Sequence, residues 1–246
     1  MLYLFSHERC PYTNQALEYY LLDNCTKYYF LLYINDISVL VGRNQIIERE
    51  INKDFILKNK IPILRRVSGG GTVTHDQGNI NFSFIGNREE FINSSVWIKE
   101  LFKKHFNISL KLKVNSLYVN NLKISGSAQY FKKERYICHS TLLVESNINM
   151  INESIKNDMY DLYITRAQRS IKVPITNLRS FHKDISRKRI LSIVNNVYRF
   201  ENVIKYVDLK SELFLNYIKN FKSSKWINKE PSYSLHKNEE IEFSNV

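Results

Sequence analysis

The chain has 246 residues, 43% of them hydrophobic, which is enough for one large core. Its net charge of +12 points to an acidic partner without choosing among nucleic acid, anionic lipid, acidic protein and phosphorylated ligand. Three scattered cysteines exclude a disulfide framework, no apolar run is long enough to span a membrane, and the N-terminus lacks the apolar core of a signal peptide, so a reducing cytoplasm is the expected setting.

Residues 2–6 are apolar and read as a strand. Residues 11–24 predict a helix with Ala16, Leu17, Tyr20 and Leu21 on its buried stripe. Two β-rich runs, 28–34 and 37–41, are divided by the turn pair Asn35-Asp36. A loop at 42–45 follows, then a helix over 50–59 with Asn52 as its N-cap, then a strand over 62–67. Residues 79–85 alternate polar and apolar, as a half-buried strand does. Residues 89–106 predict a long helix with Phe91, Val96, Ile98, Leu101 and Phe102 toward the core. Residues 109–144 read as short strands, with a hairpin across Asn120-Asn121 and a strand over 136–144. A helix is expected over 147–156. The segment 157–185 lacks periodicity, carries Arg166, Arg169, Lys172 and Arg179, and reads as a flap or long functional loop. Helices over 186–199 and 208–220 and a polar tail, 222–246, anchored by Trp226, complete the chain. Strands in adjacent pairs with helices between the groups imply a single α+β domain, 1–246, with a mixed, largely antiparallel sheet flanked by helices.

One stretch stands out: Arg65-Arg66-Val67-Ser68-Gly69-Gly70-Gly71-Thr72-Val73-Thr74-His75-Asp76. Three of the chain's seven glycines stand side by side here. Such a tract lets the backbone approach a ligand, and its N–H groups can converge on phosphate or carboxylate oxygens. It is neither a Walker A loop nor a G-x-G-x-x-G turn. A plain turn between strands would leave Arg65, Arg66 and Ser68 unexplained beside a buried strand. Neighbours on a strand face opposite ways, so at most one of the two arginines is expected to reach a ligand and the other can simply pair with a carboxylate. Ser68 and Asn79 are expected to brace the loop. His75 is open between ligand contact and a structural turn pair with Asp76. Cys138, in an apolar strand, reads as an inert buried thiol. Sixteen tyrosines could stack on nucleic-acid bases, but they fall at core spacing, so no nucleic acid is expected.

The same residues carry a resemblance. Arg65 to Ile85 resembles the hallmark motif of the lipoate–protein ligase family. Gly42-Arg43-Asn44-Gln45 is similar to its Gly-Arg-x-Gln segment, and Lys123-Ile124-Ser125-Gly126-Ser127-Ala128 to its lysine block. Cys138-His139-Ser140-Thr141-Leu142-Leu143 is similar to its His-His-Gly-Thr-Leu-Leu strand, and Pro174 to Leu178 to its Val-Thr-Asn-Leu segment. The resemblance implies the fold shared by biotin/lipoate ligases and class II aminoacyl-tRNA synthetases. It also implies ATP-dependent attachment of lipoate to a lysine through lipoyl-AMP, with ATP, lipoate and Mg2+ required and no permanently bound cofactor. Lys123 would be the catalytic residue. Arg66, Ser68, Gly69, Gly70, Gly71, Thr72, Val73, Thr74, His75, Asn79, Ser127 and Ala128 would line the ATP and lipoate site, with metal ligands unknown. The implied partners are acidic lipoyl domains of 2-oxoacid dehydrogenase complexes or the glycine cleavage H protein, with no membrane. Two departures keep alternatives open. The place of the family's Asn-Asp pair is taken by Val114-Asn115-Ser116-Leu117, without the aspartate, and no C-terminal accessory domain is expected after the large one. A ligase needing a separate accessory subunit, or a transferase using preformed lipoyl-AMP or an acyl-protein donor, are the rivals; a biotin ligase is disfavoured by the glycine motif.

Overall fold

A computed structural model describes residues 1–155, 163–164, 167–229 and 236–237. β1 (Leu2–Phe5) leads into α1 (Pro11–Asn24), where Pro11 occupies the first turn and its missing N–H costs nothing. β2 (Tyr29–Tyr33) and β3 (Ser38–Val41) are wholly buried. The single helix expected over 50–59 is instead two, α2 (Ile47–Glu50) and α3 (Lys53–Lys58). Asn52 divides them because its side chain accepts the Phe55 N–H at 3.1 Å, starting a new helix as an N-cap. β4 (Ile63–Arg65) enters the glycine tract, and β5 (Val73–His75), absent from the sequence reading, leaves it for β6 (Asn79–Asn87).

α4 (Ser94–Phe106) starts later than residue 89 because Asn93 caps it, accepting from the N–H groups of Ser95 and Val96. Ile98, Leu101 and Phe102 face the core as expected, but Val96 lies on the exposed side, off their i, i+3, i+4 stripe. β7 (Lys111–Lys113) and β8 (Ser116–Val119) are short, whereas β9 (Leu122–Lys132) and β10 (Arg135–Leu143) run for 11 and 9 residues. Asn120 and Asn121 both take left-handed φ, the two-residue hairpin geometry that asparagine tolerates. Then come α5 (Ile148–Ser154), β11 (Tyr163–Ile164), α6 (Arg187–Tyr198), β12 (Glu201–Asn202), α7 (Glu212–Lys222), α8 (Ser224–Ile227) and β13 (His236–Lys237), the last paired with β11. Residue 156 of the expected helix and 157–162 and 165–166 of the expected flap lie outside the described residues, as do 230–235 and 238–246 of the polar tail. Trp226 does anchor that tail: its indole N–H donates to the Arg65 carbonyl at 2.7 Å.

The main sheet has the order β12-β1-β2-β6-β10-β9-β8-β7. The ladders on either side of β1 are parallel and the other five antiparallel, the mixed, largely antiparallel α+β arrangement expected. A small second sheet, β4-β3-β5, carries the glycine tract between its outer strands. Helices α4 and α6 cover one face of the main sheet over Phe30, Phe82, Phe84 and Cys138; α1 and α7 cover the other over Leu31, Ile85 and Ile137. Period-two alternation therefore turns Cys138 toward α4 and its neighbour His139 toward α1. No helix among the described residues is long and apolar enough to cross a membrane.

Candidate active site

Two walls face each other. The first is the glycine tract, and its arginines divide as the strand geometry demands. Arg65 turns toward the 42–45 loop, with Glu48 near enough to act on its charge. Its guanidinium donates to the carbonyls of Gly42, Arg43, Gln45 and Ile227 at 2.7–3.2 Å, tying the 42–45 loop to α8. Arg66 points the other way and braces the tract itself. It donates to Ser68 Oγ and to the carbonyls of Leu40, Gly69 and Gly71, the last at 2.6 Å. Burial pushes its pKa down to about 10, so it stays charged at neutral pH. Gly70 has φ +87°, and its carbonyl lies 2.1 Å from where a Cβ on Gly42 would stand, so the paired glycines of the two loops are required by close approach.

The second wall is β9, and a β-bulge decides what it presents. Leu117 of β8 pairs with Ser125, but the next residue, Tyr118, pairs with Lys123, so Ile124 is an extra residue on β9. Without the bulge, alternation from Gly126 and Ala128 would turn Lys123 into the α4 core. With it, Ile124 fills that core and Lys123 faces the same way as Gly126. The Lys123 backbone is held by Pro174 and Thr176. Its ammonium has no hydrogen-bond or ion-pair partner among the described residues, and burial lowers its pKa.

Lys123 stands in the wall shared by two cavities. One, of about 560 Å³, runs between the glycine tract and β9–β10 to a floor of Glu18, Tyr33, His75 and His139. The other, of about 610 Å³, lies toward α5 and is lined by Ile151, Leu143 and Ile175 with Arg49, Glu50 and Arg169. The floor of the first is a closed polar network. Tyr33 Oη donates to Glu18 at 3.0 Å, His139 Nδ1 lies 3.0 Å from the same carboxylate, and Ser68 Oγ is 2.7 Å from His139 Nε2. The order Ser68-His139-Glu18 imitates a nucleophilic triad, yet Ser68 is fully buried, does not line the cavity and already accepts from Arg66. His75 accepts from Asn35 Nδ2 at 3.0 Å, leaving its proton on Nε2. Burial, then the neighbouring His139 and Arg66, hold its pKa at about 3, so it is neutral.

A strap at 167–173 crosses the tract. Gly70 N–H donates to Gln168 Oε1 at 3.1 Å and Thr72 N–H to Ser170 Oγ at 2.8 Å, and Ser170 N–H donates to Glu50. Burial raises the pKa of Glu50 against that hydrogen bond. The N–H groups that suit an anion are thus occupied by side chains of the chain itself. Among the described residues no group of three or more His, Cys, Asp or Glu could hold a metal ion.

Of the residues singled out in the sequence, Arg66, Gly70, Gly71, Thr72, Val73, Thr74, His75, Lys123, Ser127 and Ala128 line one or both cavities. Ser68, Gly69 and Asn79 do not; Asn79 is buried, donating to Asn81 and accepting the Leu142 N–H. His75 is a floor residue, and its Nδ1 bonds to Asn35 rather than to Asp76, which takes the N–H groups of Gly78 and Asn147. The sequence reading missed Glu18, Tyr33, Gln168, Ser170 and the role of His139. The signal for Glu18 was present: Asn14, Gln15 and Glu18 are buried polar residues in α1, next to its apolar stripe. Cys138 bonds with Ser94 in the α4 core, away from both cavities, and burial raises its pKa.

The sequence model of the lipoyl protein ligase A/B catalytic domain matches residues 10–198. The chain belongs to this family. A putative lipoate-protein ligase A of Schizosaccharomyces pombe is 37% identical over 178 residues, 69% of this chain and 48% of that protein. Lipoate–protein ligase 1 of Staphylococcus aureus is 29% identical over 245 residues, covering 94% and 74%. The lipoate-bound crystal structure of Plasmodium falciparum LipL1 superimposes with a TM-score of 0.78 at 26% identity, covering 93% of this chain and 74% of that one. The chain thus spans between about half and three-quarters of the length of these curated relatives. Both walls and His139 of the floor lie within the matched residues.

Proposed function

We propose that this chain joins lipoate to ATP, releasing pyrophosphate, and passes the acyl group from lipoyl-AMP to a lysine of an acidic lipoyl domain. The observation that carries the reading is the Lys123 ammonium between two cavities, without a partner among the described residues. The relatives' names and the lipoate in the LipL1 structure support the substrate.

The lipoyl chain fits the 560 Å³ cavity, tail toward the Glu18 floor, and the nucleotide fits the 610 Å³ cavity beside Arg49 and Arg169. Their reacting ends then meet at Lys123. In the first step a carboxylate oxygen attacks the α-phosphorus and pyrophosphate leaves. A cation already facing both reacting ends stabilises the charge that develops there with little reorganisation. The Gly70 and Thr72 N–H groups add to this once Gln168 and Ser170 yield them. Magnesium arrives with ATP as part of the substrate, held mainly by phosphate oxygens. In the second step the acceptor amine attacks the acyl carbon, Lys123 stabilises the oxyanion, and AMP departs with the electrons of the broken anhydride bond. No enzyme nucleophile is needed.

One observation favours a second reading, transfer from preformed lipoyl-AMP. The turn at 114–115 has no carboxylate, and the Asn115 carbonyl instead accepts from the N–H and Oγ of Ser127. A pyrophosphate-release assay with lipoate, octanoate and biotin, with and without an acceptor domain, decides between them. Release with lipoate or octanoate is expected; modification of the acceptor only from supplied lipoyl-AMP would establish the transferase.

A further inference from the structure

The two most exposed large apolar side chains among the described residues are Val114, 90% exposed, and Ile171, 86%. Both stand at the mouth of the same 560 Å³ cavity. Val114 belongs to the β9 side, in the turn between β7 and β8, and Ile171 to the strap over the glycine tract. Val114 is also held at φ +53°, a left-handed conformation that a β-branched residue adopts only at a cost. A valine that is both strained and fully in water does nothing for the isolated fold.

The two lips share a charge as well. Lys113 and Lys123 line the cavity on the β9 side and Arg169 lines it on the strap side. Away from the cavity, Lys132 pairs with Asp23 and Arg179 with Glu145. Lys113, next to Val114, lies over the Tyr118 ring at 5.2 Å instead. Glu18 is the only carboxylate lining the cavity among the described residues, and it sits at the floor bonded to Tyr33 and His139. Lysines on β7 have an ordinary use, since it is the outer strand of the sheet and edge lysines deter pairing with another chain. That use accounts for Lys111 and Lys113 but not for Val114.

We propose that Lys113, Val114 and Ile171 form the docking face for an acidic protein domain, which grips the two apolar lips and inserts its target lysine between them. The inference rests on the proposed ligase reading for the identity of that lysine. The charges fit the chemistry. Acidic groups around the incoming lysine offset the cationic mouth and speed encounter. Once inside, the lysine loses those neighbours and meets Lys123, and a nearby like charge favours the neutral amine that attacks an acyl carbon. Nucleic acid also carries negative charge, but offers no lysine and no small apolar surface for an isolated valine.

The test is a titration of the full chain with an unmodified acidic lipoyl domain, alongside pyrophosphate release from ATP and lipoate without any acceptor. Lys113→Glu and Val114→Ser are each expected to raise the dissociation constant at least tenfold while acceptor-free pyrophosphate release stays within twofold of the unmutated chain. Val114→Gly separates docking from folding: removing the strain should raise the melting temperature, while losing the apolar contact weakens binding. Binding within twofold of the unmutated chain in both Lys113→Glu and Val114→Ser would overturn the proposal. So would full competition by an RNA oligonucleotide of equal charge. A chain that releases no pyrophosphate, yet binds the domain through these residues, would overturn the ligase reading and uphold the docking face.

Discussion

The two walls of the site hold their cations differently. On the glycine side Arg66 is fully buried and fully employed, its donors spent on Ser68 and on carbonyls of Leu40, Gly69 and Gly71. On the β9 side Lys123 is mostly buried and employed by nothing among the described residues. A charge already bonded to its own loop gives shape; a charge left facing two cavities gives chemistry. The fold is stabilised by the first and gains nothing from the second, because a partly buried ammonium with no partner among the described residues gives up hydration for no return.

That contrast can be broken by mutation. The largest effect is expected from Lys123→Met, which should lower acyl transfer by about 10²–10³-fold or more, the scale of removing a group that stabilises developing charge. The same variant should melt at or above the temperature of the unmutated chain, measured by calorimetry. A large drop in melting temperature would mean that Lys123 serves the fold. Arg66→Lys should do the opposite first. It strands several buried carbonyls, each worth about 1–3 kcal/mol, so the melting temperature should fall by roughly 5 °C or more, with activity lost along with the tract's shape.

A smaller effect concerns acid. Folded His75 refuses a proton until about pH 3, whereas the unfolded chain takes it near the ordinary value of 6.5. The unfolded state therefore binds more protons in that window, and stability falls as pH drops from about 6.5 toward 3, with a slope approaching 1.4 kcal/mol per pH unit. Denaturant melts of His75→Gln against pH should show a shallower acid limb; an unchanged limb would take His75 out of the acid response. The smallest effect is expected from Cys138→Ser, which leaves transfer within about twofold, because the thiol faces α4 with its pKa raised by burial. Loss of activity with the fold intact, checked by circular dichroism, would make Cys138 a participant in acyl transfer.

The glycine tract, the lysine block and the strand at β6 were legible in the sequence, because each is a contiguous run whose meaning depends on near neighbours; β6 was expected to be half buried, yet both its faces are covered because it lies inside the sheet between β2 and β10. The cap at Asn52 was named, but its consequence, two helices instead of one, was not, since a cap inside a helical pattern competes with the pattern itself. β5 was hidden because Val73-Thr74-His75 is too short to show a period. It is a strand only because β3 lies alongside to bond it.

What the sequence determined by itself is the chemistry on hand: a tract whose glycines permit close approach, a lysine in a Ser-Gly-Ser-Ala setting, and a basic chain suited to an acidic partner. Tertiary structure alone decided which of those groups face a ligand. Alternation separates His139 from Cys138, but only the sheet's two coverings say which face holds the cavity. Only pairing with β8 inserts Ile124 as a bulge, and that one extra residue turns Lys123 from the α4 core to the site. Orientation across a sheet depends on register, and register is set by partners far along the chain.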